Sequence, residues 1–224
     1  GSFTAGSINA RVEERLRAAV RHGAGLDMIP VDMATEAGVL VANVPGANAL
    51  TVAEHAIFAA IGLLRQLRAM DAALRGSGWA AGRAFADLGG DLAGRRLGLL
   101  GFGNIGQALH RIATGFGMQV AATTRRPETL PAGVQALPLD DLVAGSDVLV
   151  LCCPLTDQTR GVISAARIAR MKPGAVLINV SRGPIVDTEA LIAALQARRI
   201  AGAALDVFDA QPLPRTSPLW ALEN

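Results

Sequence analysis

The residues of this sequence whose types and spacing best suit chemistry are six in a row, Gly101-Phe102-Gly103-Asn104-Ile105-Gly106. A backbone with so few side chains in the way can turn peptide N–H groups toward an anion. Leu97, Leu99 and Leu100 precede the turn as a short apolar run. Leu109, Ile112, Ala113 and Phe116 follow at helical spacing until Gly115 and Gly117. Val120 to Thr123 then reads as a second strand. Strand, glycine turn, helix and strand make a dinucleotide-binding unit. In it Gly101 forms the tight turn, Gly103 lets the backbone approach a pyrophosphate, and Gly106 lets the helix pack close on the sheet. The phosphates then sit at the helix N-terminus.

Coenzyme choice is made about 20 residues beyond the glycines, where an acidic side chain would accept hydrogen bonds from the ribose hydroxyls. Here Thr124 is followed by Arg125 and Arg126. A carboxylate repels a 2′-phosphate, whereas guanidinium groups bind its oxygens with charge-assisted, forked hydrogen bonds. The reading is NADP(H), with NAD(H) as the alternative if the two arginines only solvate a loop.

The elements that must position these groups follow from the rest of the chain. With 224 residues, 51% of them hydrophobic, it can bury a sizeable core. A formal charge of +2, scattered arginine pairs and no tyrosine argue against a nucleic-acid surface. An apolar run near 18 residues is absent, so the expectation is a soluble, cytoplasmic protein with no membrane partner. Cys152 and Cys153 adjoin on a predicted strand and would face opposite ways, which disfavours a mutual disulfide. His22, His55 and His110 lie far apart, and no metal site is expected.

Val12, Leu16 and Val20 recur as in a helix over Ser7 to Arg21. Val31 to Ala37 reads as a short helix and Val39 to Asn43 as a strand. Asn43-Val44-Pro45-Gly46 follows as a hinge or boundary. Thr51 and Glu54 have capping-box spacing at the start of one long helix running through Leu74. Arg75 to Gly94 reads as a glycine-rich arm or loop that leaves Trp79 and Phe85 exposed unless covered. Short apolar strands then alternate with helices: Val148 to Cys153, Val176 to Val180 and Ala203 to Val207 as strands, Asp140 to Ala144, Ser164 to Met171 and Asp187 to Arg198 as helices. The fold class is α/β, a doubly wound parallel Rossmann sheet. In such sheets ligands lie beyond the carboxyl ends of the strands, where Cys153-Pro154, Ser181-Arg182-Gly183 and Asp206 stand.

Ordered blocks carry a resemblance. GAGLDMIP, ANVPGANALTVAEH, GLLGFGNIG, CCPLTDQTRGVI, MKPGAVLINVSRGPIVD, AGAALDVFDAQPLP and SPLW together resemble the D-isomer-specific 2-hydroxyacid dehydrogenases, of the glyoxylate and hydroxypyruvate reductase type, from about Gly23 onward. The resemblance implies part of a flavodoxin-like substrate domain over 1–45 and a nicotinamide-binding Rossmann domain over 46–224. It also implies a small 2-ketoacid or 2-hydroxyacid substrate and a homodimer. It turns Leu16 to Arg21 from helix to strand. It makes the backbone at Ala24 and Gly25 the holder of the substrate carboxylate, and Arg182 the catalytic arginine that polarises the carbonyl. Asn104 and Ile105 become pyrophosphate-binding amides; Cys153, Pro154 and Thr159 the adenosine-side wall; Val180 and Asp206 nicotinamide-side contacts. Thr51 and Ser181 join the coenzyme set.

Two departures stand out. Gln211 occupies the place of a family glutamate that pairs with a catalytic histidine, so the pair would lack a charge. Ketoacid reduction should then decline at lower pH than in a Gln211→Glu variant. That histidine would lie beyond Asn224, which implies that the chain is a portion of a longer enzyme. The other readings are an NAD-dependent phosphoglycerate-type dehydrogenase and a dinucleotide-sensing binding protein.

Overall fold

A computed structural model describes residues 16–27 and 29–224. The chain divides into two compact units, 1–50 and 51–224. In the first unit, β1 (Ala18–Arg21) and β2 (Leu40–Asn43) pair in parallel, with Arg21 opposite Asn43. Helix α1 (Val31–Glu36) connects them, and Ala19, Ala34 and Val39 are buried together. The extended course of Ala18–Arg21 replaces the helix that periodicity alone gave there. Residues 7–15 of that helix lie outside the described residues.

The second unit is built on six parallel strands: β3 (Arg96–Leu100), β4 (Gln119–Thr123), β5 (Val134–Ala136), β6 (Val148–Leu151), β7 (Val176–Asn179) and β8 (Gly202–Leu205). Their order in the sheet is β5-β4-β3-β6-β7-β8. The chain thus starts in the middle, winds outward one way, returns and winds outward the other way. This is the doubly wound order with its reversal between β3 and β6.

Because successive strand side chains face opposite ways and both faces are covered, the central strands β3, β6 and β7 are apolar through their middles. Leu97, Leu99, Val120, Ala122, Val148, Val150, Val176 and Ile178 fill the core on one face. Leu100, Ala121, Leu149, Leu151 and Leu177 fill that on the other. Helices α2 (Ala49–Leu64) and α5 (Asn104–Gly115) pack on the first face. Helices α6 (Leu139–Gly145), α7 (Ala165–Arg170) and α8 (Thr188–Gln196) pack on the second.

The long helix expected through Leu74 is two helices. Gln66 takes a left-handed conformation (φ 49°), and the Leu64 carbonyl accepts a bond from Gly90 N–H at 3.0 Å instead of continuing the ladder. Core burial explains the break, since Leu64 is the last residue of α2 against the sheet. Helix α3 (Leu67–Ser77) leaves at 55° and buries none of its residues. It packs on α4 (Trp79–Arg83), so the glycine-rich stretch read as an arm or loop is in part a helical hairpin. Gly82 lets it close, because a Cβ there would stand 2.9 Å from Leu74 Cβ. Helix α2 begins at Ala49, so Thr51 lies inside its first turn and is not its cap. Among the described residues no single helix is long and apolar enough to cross a membrane.

Candidate dinucleotide and catalytic site

Gly101, Gly103 and Gly106 meet three different physical demands. Gly101 has φ +103°, which side chains disfavour, and a Cβ there would fall 2.9 Å from the Cys153 backbone. At Gly106 a Cβ would fall 2.9 Å from the Gly101 carbonyl, so the first turn of α5 sits directly on the turn that precedes it. A Cβ at Gly103 would meet nothing within 4 Å. Packing therefore demands the first and third glycines, whereas the second leaves open space at the mouth of the turn.

That opening lies at the N-terminus of a 12-residue helix whose N-cap, Gly103, offers no side-chain cap. The first intrahelical bond runs from Gln107 N–H to the Gly103 carbonyl, so the earlier amides have no intrahelical partner. Unpaired amides at a positive dipole end form an anion site, and its residues fit a pyrophosphate.

Three bonds fix the turn beside the reversal point. Gly101 N–H donates to Thr123 O at 2.9 Å, Cys152 N–H donates to Leu100 O at 3.0 Å, and Cys152 Sγ donates to Gly101 O at 3.2 Å. Strand β6 ends at Leu151, and the Cys152 N–H bond to Leu100 is the last of its ladder with β3, so the strand stops short of the end at Cys153 that the sequence reading gave it. The reason is local: the neighbouring chain bends away at Gly101. Neither cysteine is in a disulfide. Burial pushes both upward in pKa, Cys152 above the usual thiol range and Cys153 to about 11, so both are protonated at neutral pH.

Beyond β7 the chain makes a second tight structure. Buried Asn179 donates from Nδ2 to the Arg182 carbonyl at 2.9 Å and accepts from Ser181 N–H at 3.1 Å. Ser181 Oγ donates to the Cys153 carbonyl, joining the ends of β6 and β7. Arg182 is half-buried, and its Nη1 donates to the Ser181 carbonyl at 2.7 Å. Gly183 follows because a Cβ there would fall 2.1 Å from the Phe208 carbonyl carbon. Asp206 N–H donates to Asn179 O at 3.0 Å, so the segment after β8 lies across the same turn.

The structure thus brings Gly101, Cys153, Ser181, Arg182 and Asp206 to one rim of the sheet. Val180 is buried beside them, in the core on the α5 face. Thr124 is half-buried at the end of β4, followed by exposed Arg125 and Arg126; among the described residues neither guanidinium forms an ion pair. Thr159 spends its hydroxyl inside its own loop, donating to Pro154 O at 2.8 Å and accepting from Thr156 N–H at 2.7 Å. Gln211 is exposed. In the other unit, Gly23 has φ +127°, Ala24 is exposed and Gly25 half-buried. The sequence reading missed Asn179, although a lone amide closing the apolar run Val-Leu-Ile was the available signal. It also missed a cavity of about 300 Å³ on the α8 side, lined by Leu191, Leu205, Phe208 and Leu219 among others.

Residues 57–224 match the family model described as "D-isomer specific 2-hydroxyacid dehydrogenase, NAD binding domain". The chain is 39% identical over 217 residues to a glyoxylate reductase of Thermococcus onnurineus, covering 94% of this chain and 65% of that protein. It is 38% identical over 213 residues to a D-3-phosphoglycerate dehydrogenase of Mycobacterium bovis, covering 93% of this chain and 39% of that one. It superposes on an acyclic imino acid reductase in complex with NADPH and D-Arg with a TM-score of 0.82 at 28% identity, covering all of this chain and 70% of the other. The chain therefore spans about two thirds of the glyoxylate reductase it matches, or less in the longer phosphoglycerate dehydrogenase. With its glycine turn, its strand order and three quarters of its length in agreement, the chain belongs to the D-isomer specific 2-hydroxyacid dehydrogenase family and carries its NAD-binding domain.

Proposed function

We propose that this chain is the coenzyme-binding part, with a portion of the substrate domain, of an NADPH-preferring reductase of small 2-ketoacids such as glyoxylate or hydroxypyruvate. The observation that carries the reading is the Asn179–Arg182 turn, which holds a catalytic-type arginine on the rim that also bears the glycine turn. Similarity to glyoxylate reductase supports the substrate class.

In this reading the amides of Asn104 and Ile105, with Gly101, Gly103 and Gly106, hold the pyrophosphate. Arg125 and Arg126, with Thr124, hold the 2′-phosphate. Cys153, Pro154 and Thr159 wall the adenosine side, and Thr51, Val180, Ser181 and Asp206 serve the nicotinamide side. A bound nicotinamide would supply the hydride. Ala24 and Gly25 N–H groups bind the substrate carboxylate, and Arg182 binds its carbonyl oxygen and stabilises the charge that develops there. Gln211 orients the proton donor as a neutral acceptor. In sequence, the substrate-domain portion runs to residue 45 and the coenzyme domain starts at 46.

The reading extends to a cytoplasmic homodimer. Two cysteines outside any disulfide suit a reducing compartment. The α3–α4 hairpin leaves Leu67, Leu74 and Trp79 exposed, the last by 76%, and such apolar side chains suit contact with a second copy. Sedimentation equilibrium of the full chain should give a dimer, and Trp79→Glu a weaker one; a wild-type monomer removes this element.

The coenzyme assignment is tested by kcat/KM for glyoxylate and hydroxypyruvate with each coenzyme. NADPH should be favoured, and Arg125→Ala with Arg126→Ala should lower the NADPH value about 10- to 100-fold while leaving NADH nearly unchanged, as expected for two charge-assisted contacts. Equal values in the wild type remove the role given to the two arginines, and a preference for NADH favours the NAD-dependent phosphoglycerate-type reading, for which the mycobacterial relative speaks.

A further inference from the structure

The Asn43-Val44-Pro45-Gly46 stretch reads in sequence as a hinge, yet its first two residues grip the loop that follows β1. Asn43 Nδ2 donates to the Ala24 carbonyl at 2.9 Å, and Val44 N–H is shared between the Gly23 and Arg21 carbonyls, each at 3.2 Å. The strand register makes this possible, because Asn43 lies opposite Arg21 and both strands end together.

A trans peptide is planar, with its C=O and its N–H on opposite edges of one plane. Pinning the Gly23 carbonyl toward the end of β2 therefore turns the Ala24 N–H away from it. Pinning the Ala24 carbonyl does the same for the Gly25 N–H. Two successive amide donors are left on one side of the loop, and among the described residues neither donates a hydrogen bond. Successive outward N–H groups of this kind form an anion-binding nest. Without the clamp, a loop containing two glycines would sample many backbone states, and its affinity for an anion would fall by the fraction of time spent in the competent one.

We infer that Asn43 is a positioning residue for recognition of the substrate carboxylate: its side-chain amide sets the direction of the Gly25 N–H. This rests on the reading that Ala24 and Gly25 hold that carboxylate. Asparagine suits the task because it presents an N–H donor to a carbonyl, whereas aspartate presents only acceptors and adds a negative charge beside the site.

The test uses the full chain with saturating coenzyme. It compares wild type, Asn43→Ala, Asn43→Asp and Gly25→Pro for glyoxylate KM and kcat, for the Kd of oxalate and of the coenzyme by calorimetry, and for Tm. Asn43→Ala should raise glyoxylate KM and oxalate Kd about 5- to 10-fold, the cost of losing one hydrogen bond. Its kcat should stay within about twofold and its coenzyme Kd unchanged, since the clamp orients a binding group and no reacting one. Asn43→Asp should be worse than alanine. If Asn43→Ala leaves oxalate binding intact while Gly25→Pro weakens it, Asn43 does not position the loop, although the loop still holds the carboxylate. If neither change alters oxalate binding, the assignment of the loop falls and the inference with it. A drop in Tm with KM unchanged marks a structural tie only and also overturns it. Should Asn43→Ala fail to fold, Asn43→Ser, which keeps a shorter donor, is expected to show a smaller rise in KM than Asn43→Asp, and equal values overturn the inference.

Discussion

Arg182 owes its place to three neighbours. Asn179 holds its carbonyl, Ser181 ties the turn to β6, and Gly183 leaves room for Phe208. In the proposed reading, a guanidinium on so constrained a backbone would be preorganised for an oxyanion. Arg182→Gln should lower kcat about 10²- to 10³-fold while coenzyme affinity, measured by fluorescence titration, stays within about twofold. A comparable loss of coenzyme binding would show that the side chain serves the coenzyme. The place of Arg182 after a buried strand was legible in the sequence, and the resemblance alone suggested its role. Its support was not, because a buried Asn179 shows its role only when the Ser181 amide and the Arg182 carbonyl are seen to converge on it.

The same contrast holds at the level of the strand–turn–helix element. Its three glycines look equivalent in sequence, yet two are required by contact and one by the space it leaves. Gly101→Ala and Gly103→Ala should therefore fail in different ways. The first combines positive φ with a clash against the Cys153 backbone and should cost about 2–4 kcal/mol of stability. The second should leave Tm within a few degrees but weaken dinucleotide binding at least about tenfold, because its methyl group would occupy the room a pyrophosphate needs. Thermal melts with coenzyme titration separate the two, and equal loss of stability in both variants would contradict the assignment. Elsewhere the helical repeat misled. Apolar residues from Val52 to Leu74 keep a helical period, but only those up to Leu64 reach the sheet. Leu67 and Leu74 belong to a second helix that Gln66 sets off in a new direction.

Across the six-stranded unit, one part-buried ion pair sits at the strand ends opposite the site. Asp147, just before β6, accepts from Lys172 Nζ at 2.8 Å and from Arg96 N–H at 2.8 Å. Partial burial works to raise its carboxyl pKa, but these two donors outweigh it and hold the group below the ordinary 3.8. A carboxyl lowered on folding adds stability above its unfolded pKa and loses it as pH falls through the folded value. Lys172→Met should therefore cost up to about 1 kcal/mol at pH 7, the range for a part-exposed pair. The difference from wild type should shrink as pH falls through the lowered folded value, because the carboxyl is then protonated in both proteins. A difference in Tm that stays constant over the same fall in pH would assign the effect to packing of the lysine stem.

By itself the sequence determined the local and repetitive features: apolar strands alternating with helices, a glycine turn between strand and helix, and an arginine after a buried strand. These follow from periodicity and from backbone conformations that few residues allow, so each can be read within a window of a dozen residues. The tertiary structure alone decided what depends on residues far apart in the chain. Examples are the departure of Cys152 and Cys153 from β6, the break after Leu64, the tie of Ser181 to Cys153 and the grip of Asn43 on Ala24. A hydrogen bond across 19 or more residues leaves no period in the sequence. It arises only when two strand ends arrive side by side.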